Sequence, residues 1–213
     1  DYIQHSPCNG LRMPAKVVSR ERVLQDQELA AVWLACERMG YPFGPFVQLL
    51  ILTGQRRTEV SSLRRFDLDL GQAIWTQTRN KSNRTHDVPL SRQAVEIIRQ
   101  LPYIHAELIF PARRTENPIS GFSKWKRQLN QISKVEDWTL HDLRRTAATK
   151  MASLGVAIDV IELALNHQSQ KLRGIAGIYN RFKYFDERKA AFQRLADHYQ
   201  QLFQHLPMSE PQS

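Results

Sequence analysis

Cysteine is nearly missing from this 213-residue chain, which has only Cys8 and Cys36. They form no Cys-x-x-Cys pair, so neither a disulfide framework nor a structural zinc site is indicated, and a reducing compartment is expected. Long apolar runs are missing too. The stretch from Phe46 to Leu52 is interrupted and falls well short of the roughly 20 apolar residues a bilayer demands. The opening Asp1-Tyr2-Ile3-Gln4-His5 lacks the charged-then-apolar pattern of a secretory leader. No internal repeat or low-complexity tract interrupts the chain, and no carboxylate cluster suggests a two-metal site.

Acidic residues are the minority charge. Thirty Lys and Arg against 21 Asp and Glu give a net charge of +9. A polyanionic partner follows naturally, because basic groups that neutralise phosphates release counterions. Charge alone does not name that partner, and motifs must decide. Hydrophobic residues make up 42% of the chain, ordinary for a globular protein with one sizeable core.

The pattern predicts a mainly helical domain carrying a small antiparallel sheet or hairpin. Residues 1–20 contain Pro7, Gly10 and Pro14 without periodicity and read as a linker or strap; 21–206 read as the domain, and 207–213 as a flexible tail. From Asp26, read as an N-cap, Leu29, Val32, Trp33 and Cys36 recur at helical spacing as far as Gly40. A more buried helix is expected from Pro42 to about Leu52, broken at Gly54, and a short one from Arg57 to Leu63. Residues 73–78 favour a strand, 79–84 a polar turn, and His86-Asp87-Val88-Pro89 the returning strand. Ser91 caps the next helix, and further helices are expected over 120–133, 140–154, 157–165, 174–182 and 186–205.

Several segments carry residues suited to phosphate chemistry. His141 and Arg144 stand three apart, so on a helix they share a face, near free backbone N–H groups at its start. A guanidinium fork grips two non-bridging oxygens of a phosphodiester better than an amine does. Taken alone, the pair fits an ordinary solvated surface equally well. Arg56 follows the Thr53-Gly54 break, and Glu59 three residues on can hold it, unless the two are merely a surface ion pair. Arg57 reads as a surface or DNA-backbone contact. Lys81 occupies the hairpin turn, where an amine can act as general acid, although Arg79, Lys81 and Arg84 are also what any polar turn contains. His167 identifies little by itself, and a lone tyrosine such as Tyr179 is most often a core residue.

Taken in order, Thr53-Gly-Gln-Arg56-Arg-Thr-Glu59-Val, Lys81, His141-Asp-Leu-Arg144-Arg-Thr146, His167 and Ile178-Tyr179-Asn180-Arg181 resemble the catalytic domain of the tyrosine recombinases, the phage integrase family. The stretch from Lys81 to Leu90 and the twelve-residue step from His167 to Tyr179 resemble the branch carried by prophages and genomic islands. The family often has Leu-Gly-His where this chain has Leu165-Asn166-His167, and Arg-His-Thr where it has Arg144-Arg145-Thr146; both variants occur in the island-type branch. The start at Asp1 and the linker-like opening are expected to mark an excised domain, without the two amino-terminal DNA-binding modules usual in full-length integrases.

The resemblance implies the tyrosine recombinase fold and a DNA strand transferase that needs neither ATP nor metal. It makes Tyr179 the nucleophile, with Arg56, Arg144, His141 and His167 around the scissile phosphate, Lys81 as general acid and Glu59 in support. Arg57, Arg79, Arg84, Arg145 and Arg181 are the expected DNA contacts. The partner is double-stranded attachment-site DNA, on which a homotetramer forms through the carboxy-terminal segment, in the bacterial cytoplasm at the nucleoid. Packing of the amphipathic stretch from Phe185 to Leu206 on its own domain, through Ala190, Ala191, Leu195, Tyr199 and Leu202, is the simpler expectation for that segment. The alternatives are a non-catalytic DNA-binding domain of the same descent and a type IB topoisomerase-like enzyme.

Overall fold

The computed structural model of the chain describes residues 21–78, 85–113, 116–167 and 184–205. Helix α1 (Asp26–Met39) is capped by Gln25, whose backbone N–H donates to Glu28 Oε2 at 2.8 Å; Asp26, expected as the cap, is the first helical residue. Helix α2 (Phe43–Thr53) is buried at every residue but Pro45. A helix apolar on all sides belongs in the interior, and α2 is the centre of the core. Close packing of α1 on α2 requires Gly44, where a Cβ would stand 2.1 Å from the Cys36 carbonyl oxygen.

Helix α2 stops at Gly54, which adopts φ +58° and returns its N–H to the Leu50 carbonyl at 2.9 Å. Helix α3 (Arg57–Ser61) is shorter than the expected run to Leu63 and gives way to a 3-10 turn over Arg65–Asp67. The sheet has three antiparallel strands in the order β1 (Leu68–Asp69), β2 (Ile74–Gln77), β3 (His86–Pro89). Strand β1 was not expected: two residues are too few for alternation to register. Trp75 pairs with Val88 and Gln77 with His86 across β2 and β3. Trp75 and Gln77 face inward, while Thr76 Oγ1 donates to Asp87 Oδ1 on the outer side at 2.8 Å.

Five helices complete the described fold: α4 (Arg92–Gln100), α5 (Phe122–Ser133), α6 (Leu140–Ser153), α7 (Ile158–Ala164) and α8 (Phe185–His205). Ser91 Oγ caps α4, as its position implied, by accepting from the Ala94 N–H at 3.3 Å. The helix expected over 174–182 lies outside the described residues. Helix α8 packs on α1, α2, α6 and α7 of its own chain. It buries Ala191, Phe192, Leu195, Ala196 and Tyr199, and Phe203 stacks on Trp33 with ring centroids 4.6 Å apart. Ala190, expected on this stripe, is exposed. It sits about 140° around the helix from Leu195, because each residue turns about 100°. Among the described residues no helix is long and apolar enough to cross a membrane.

Candidate active site

Two arginines from distant parts of the chain meet at the end of α7. Arg56 stands at the N-cap of α3, directly after the turn that Gly54 and Gln55 make. Its backbone N–H donates to Glu59 Oε2 and its Nη1 to Glu59 Oε1, both at 2.8 Å. The Glu59 side chain is only 3% exposed, so this pair is an interior clamp rather than a solvated surface ion pair. Arg56 Nη2 reaches across to the Asn166 carbonyl at 3.2 Å.

Arg144 comes from α6. That helix begins at Thr139, whose backbone N–H and Oγ1 both donate to Asp142 Oδ2, at 2.8 and 2.9 Å. This first turn is rigid, since Asp142 is fully buried and also accepts from Arg145 Nη1 at 2.6 Å. One turn on, Arg144 is 4% exposed. Its Nη1 donates to the Gly54 carbonyl at 2.9 Å, its Nη2 to the Leu165 carbonyl, and its Nε to His167 Nε2 at 3.3 Å. Burial, and then the Arg56 charge, lower its pKa to about 10, which leaves it cationic at neutral pH.

The segment that receives both arginines is a helix C-terminus. The His167 N–H returns to the Glu162 carbonyl at 2.8 Å and the Asn166 N–H to the Leu163 carbonyl at 3.2 Å. These are the paired bonds of a Schellman motif, with Asn166 at φ +52° in its left-handed position. Asn tolerates that conformation better than most side chains, which explains why it can stand where the family often has glycine. The motif leaves the Leu165 and Asn166 carbonyls facing the guanidinium groups, at the negative end of a helix where cations are favoured.

Two histidines flank the arginines. His167 accepts from Arg144 through Nε2, so that nitrogen carries no proton; burial, then the Arg144 and Arg56 charges, lower its pKa to about 4. His141, on the first turn of α6, is exposed while Arg144 is interior. The shared face that their spacing predicts therefore runs from solvent inward. Partial desolvation, then the charges of Arg145 and Arg144, lower its pKa also, which favours a neutral imidazole able to accept a proton.

Behind the arginines lies a polar layer that sequence reasoning passed over. Gln55, 2% exposed, donates from Nε2 to the Thr53 carbonyl at 3.1 Å and the Ala164 carbonyl at 2.9 Å. Gln77 Nε2, on β2, donates to Gln55 Oε1 at 3.4 Å. His86, its partner on β3, is largely enclosed; burial, then the Arg188 charge, lower its pKa to about 4. Arg188, on α8, ties the same strand down by donating from Nη1 to the Asp87 carbonyl at 2.8 Å. The available signal was Gln55 itself, an amide between the glycine and the arginine of the first motif.

The remaining expected site residues divide into two groups. Arg57 is exposed, its guanidinium 4.8 Å from the centroid of the Phe122 ring, and Arg145 is half-exposed and paired with Asp142. Lys81, Arg79, Arg84, Tyr179 and Arg181 lie outside the described residues.

This architecture is found in solved proteins. The integrase from mycobacterium phage Brujita superposes with a TM-score of 0.66 at 20% identity, over 89% of this chain and 63% of that one. A lambda integrase dimer bound to a COC′ core site gives 0.59 at 19% identity, over 75% of this chain and 62% of that one. The fold is that of a tyrosine recombinase catalytic domain. Residues 22–183 match the phage integrase family, and the chain belongs to it. The prophage integrase IntZ of Escherichia coli is 34% identical over 176 residues, 80% of this chain and 43% of that protein. Prophage integrase IntA of the same organism is 31% identical over 154 residues, 70% of this chain and 36% of the relative. The chain thus spans less than half the length of these two relatives.

Proposed function

We propose that residues 21–206 form the catalytic domain of a site-specific recombinase that cuts and rejoins double-stranded DNA through a 3′-phosphotyrosyl intermediate, during integration or excision of a mobile element. The observation that supports this most strongly is the convergence of Arg56 and Arg144 on consecutive carbonyls, Asn166 and Leu165, beside an unprotonated His167 nitrogen. Two fixed cations with neutral histidines around them suit a phosphodiester whose non-bridging oxygens gain charge in the transition state. Such preorganised donors are commonly worth several kcal/mol.

In the proposed reaction the Tyr179 oxygen bonds to phosphorus in line, and the bond from phosphorus to the 5′-oxygen breaks. The phenol proton passes to His141, and the departing 5′-oxygen takes a proton from Lys81. One phosphodiester replaces another, so the bond energy is retained for rejoining. Glu59 fixes Arg56. Arg57, Arg79, Arg84, Arg145 and Arg181 are assigned to the DNA backbone. On this reading the domain works on chromosomal DNA in the bacterial cytoplasm, at the nucleoid, and assembles as a tetramer through its carboxy-terminal segment.

The test uses nicked duplexes made from the junctions that flank the element encoding the chain, followed by denaturing electrophoresis. A covalent protein–DNA adduct is expected. Tyr179→Phe should abolish it while DNA affinity stays within about twofold, because the substitution removes one hydroxyl at the nucleophile. An adduct that persists in Tyr179→Phe refutes the nucleophile assignment. Binding with no adduct from the parent chain leaves only a DNA-binding domain.

A further inference from the structure

The acceptors that hold Arg144 sit on two separate segments, Gly54 after α2 and Leu165 after α7. Nothing in the covalent chain sets the distance between them. Gln55 does: its one amide nitrogen bridges the Thr53 and Ala164 carbonyls, each the residue immediately before an Arg144 acceptor. Amide and guanidinium therefore form two parallel rungs between the same two segments. Gln77 occupies the remaining Gln55 oxygen from the sheet, and His86 pairs with Gln77 from the neighbouring strand.

This layer makes a poor core on stability grounds. His86 Nε2 is buried without a hydrogen-bond partner among the described residues, and polar groups enclosed in this way cost free energy where an apolar packing would not.

We propose that Gln55 is a positioning residue for strand transfer: it fixes the spacing of the Gly54 and Leu165 carbonyls and so aims the Arg144 guanidinium at a non-bridging phosphate oxygen, with Gln77 holding Gln55 in turn. The inference rests on reading Arg144 as the partner of that oxygen. Its effect is confined to the charge on the transferring phosphate, and this separates it from a general loss of fold.

The experiment compares two nicked duplexes of the same junction sequence. One carries the natural scissile phosphodiester; in the other, a methylphosphonate replaces one charged non-bridging oxygen with a neutral methyl. Both react by the same bond exchange, with tyrosine oxygen to phosphorus formed and phosphorus to 5′-oxygen broken. Gln55→Met keeps the side-chain length and loses every hydrogen bond. It should slow adduct formation on the phosphodiester by roughly tenfold to a hundredfold, as a small misplacement of a catalytic group does. On the methylphosphonate its deficit relative to the parent chain should shrink to within about threefold. Gln77→Leu should shift in the same sense by less. The ratio of the two rates is taken within each preparation, so the fraction of folded protein cancels.

Equal deficits on the two substrates, or no deficit on the phosphodiester, overturn the proposal. Arg144→Ala serves as the reference. If the methylphosphonate relieves Arg144→Ala but not Gln55→Met, the Gln55 assignment fails alone. If it relieves neither, the reading of Arg144 fails and the Gln55 proposal falls with it.

Discussion

Asn166 shows how much a single backbone conformation governs here. At φ +52° it ends α7 and turns two carbonyls toward two arginines. Its side chain matters less than its dihedral, so Asn166→Gly should fold and form adduct at close to the parent rate. Asn166→Val, with a β-branched side chain forced into the left-handed region, should lose about 1–2 kcal/mol in urea unfolding. It should also lose adduct rate, because the carbonyls turn away with the strained residue. A valine variant as stable and active as the parent refutes the role given to this turn. At the same scale, the pairing of Glu59 with Arg56 was legible from their spacing, since a residue at a helix start meets the one three positions on across the first turn. That Glu59 is buried was not legible, because burial depends on what packs above it.

At the scale of elements, the end of α7 and the base of β3 each hold a histidine that the folded chain keeps neutral. His167 and His86 both have pKa values lowered to about 4 from an ordinary value of 6.5, with burial the first cause in each. Below pH 6.5 the unfolded chain therefore binds protons that the folded chain refuses. The stability these two neutral rings permit is complete above that value and declines as pH falls toward about 4. Urea midpoints measured near pH 7.5 and about pH 5 should show the lower value at the acid end, and His86→Phe should flatten the difference. A midpoint that is higher at the acid end contradicts the assignment. Helix positions were readable because apolar residues recur along α1, α6 and α8. Strand β1 was not, since its pairing with β2 is a tertiary event two residues long.

For the whole molecule, the question is where the carboxy-terminal helix belongs. Helix α8 contributes Leu195, Ala196 and Tyr199 to the main core, all of them nearly inaccessible. A chain ending at Arg181 therefore loses part of its core together with its last helix, and cooperative thermal unfolding should disappear. A chain ending at His205 should melt within a few degrees of the parent, since terminal residues beyond a docked helix contribute little. Leu195→Ala should cost roughly 2–5 kcal/mol, the usual range for a cavity of that size. If the proposed tetramer forms on DNA through a segment exchanged between protomers, deleting residues 206–213 should reduce the assembled species in sedimentation while leaving adduct formation by single protomers intact. Unchanged assembly rejects exchange through that segment.

What the order of residues determined by itself was local and chemical. Periodicity set the helices, the Thr53-Gly54 break placed Arg56 at a helix start, and the three-residue spacing put His141 and Arg144 on one turn. These depend on backbone geometry, which acts over a few neighbours. Tertiary structure alone decided that Arg144 lies inside while His141 faces solvent, and that Gln55, Gln77 and His86 meet behind the arginines. Gln55 reaches Gln77 across 22 positions and Ala164 across 109, and no local pattern encodes those two contacts. They exist because the buried α2 and the turn of Asn166 bring their carbonyls to the same few ångströms of space.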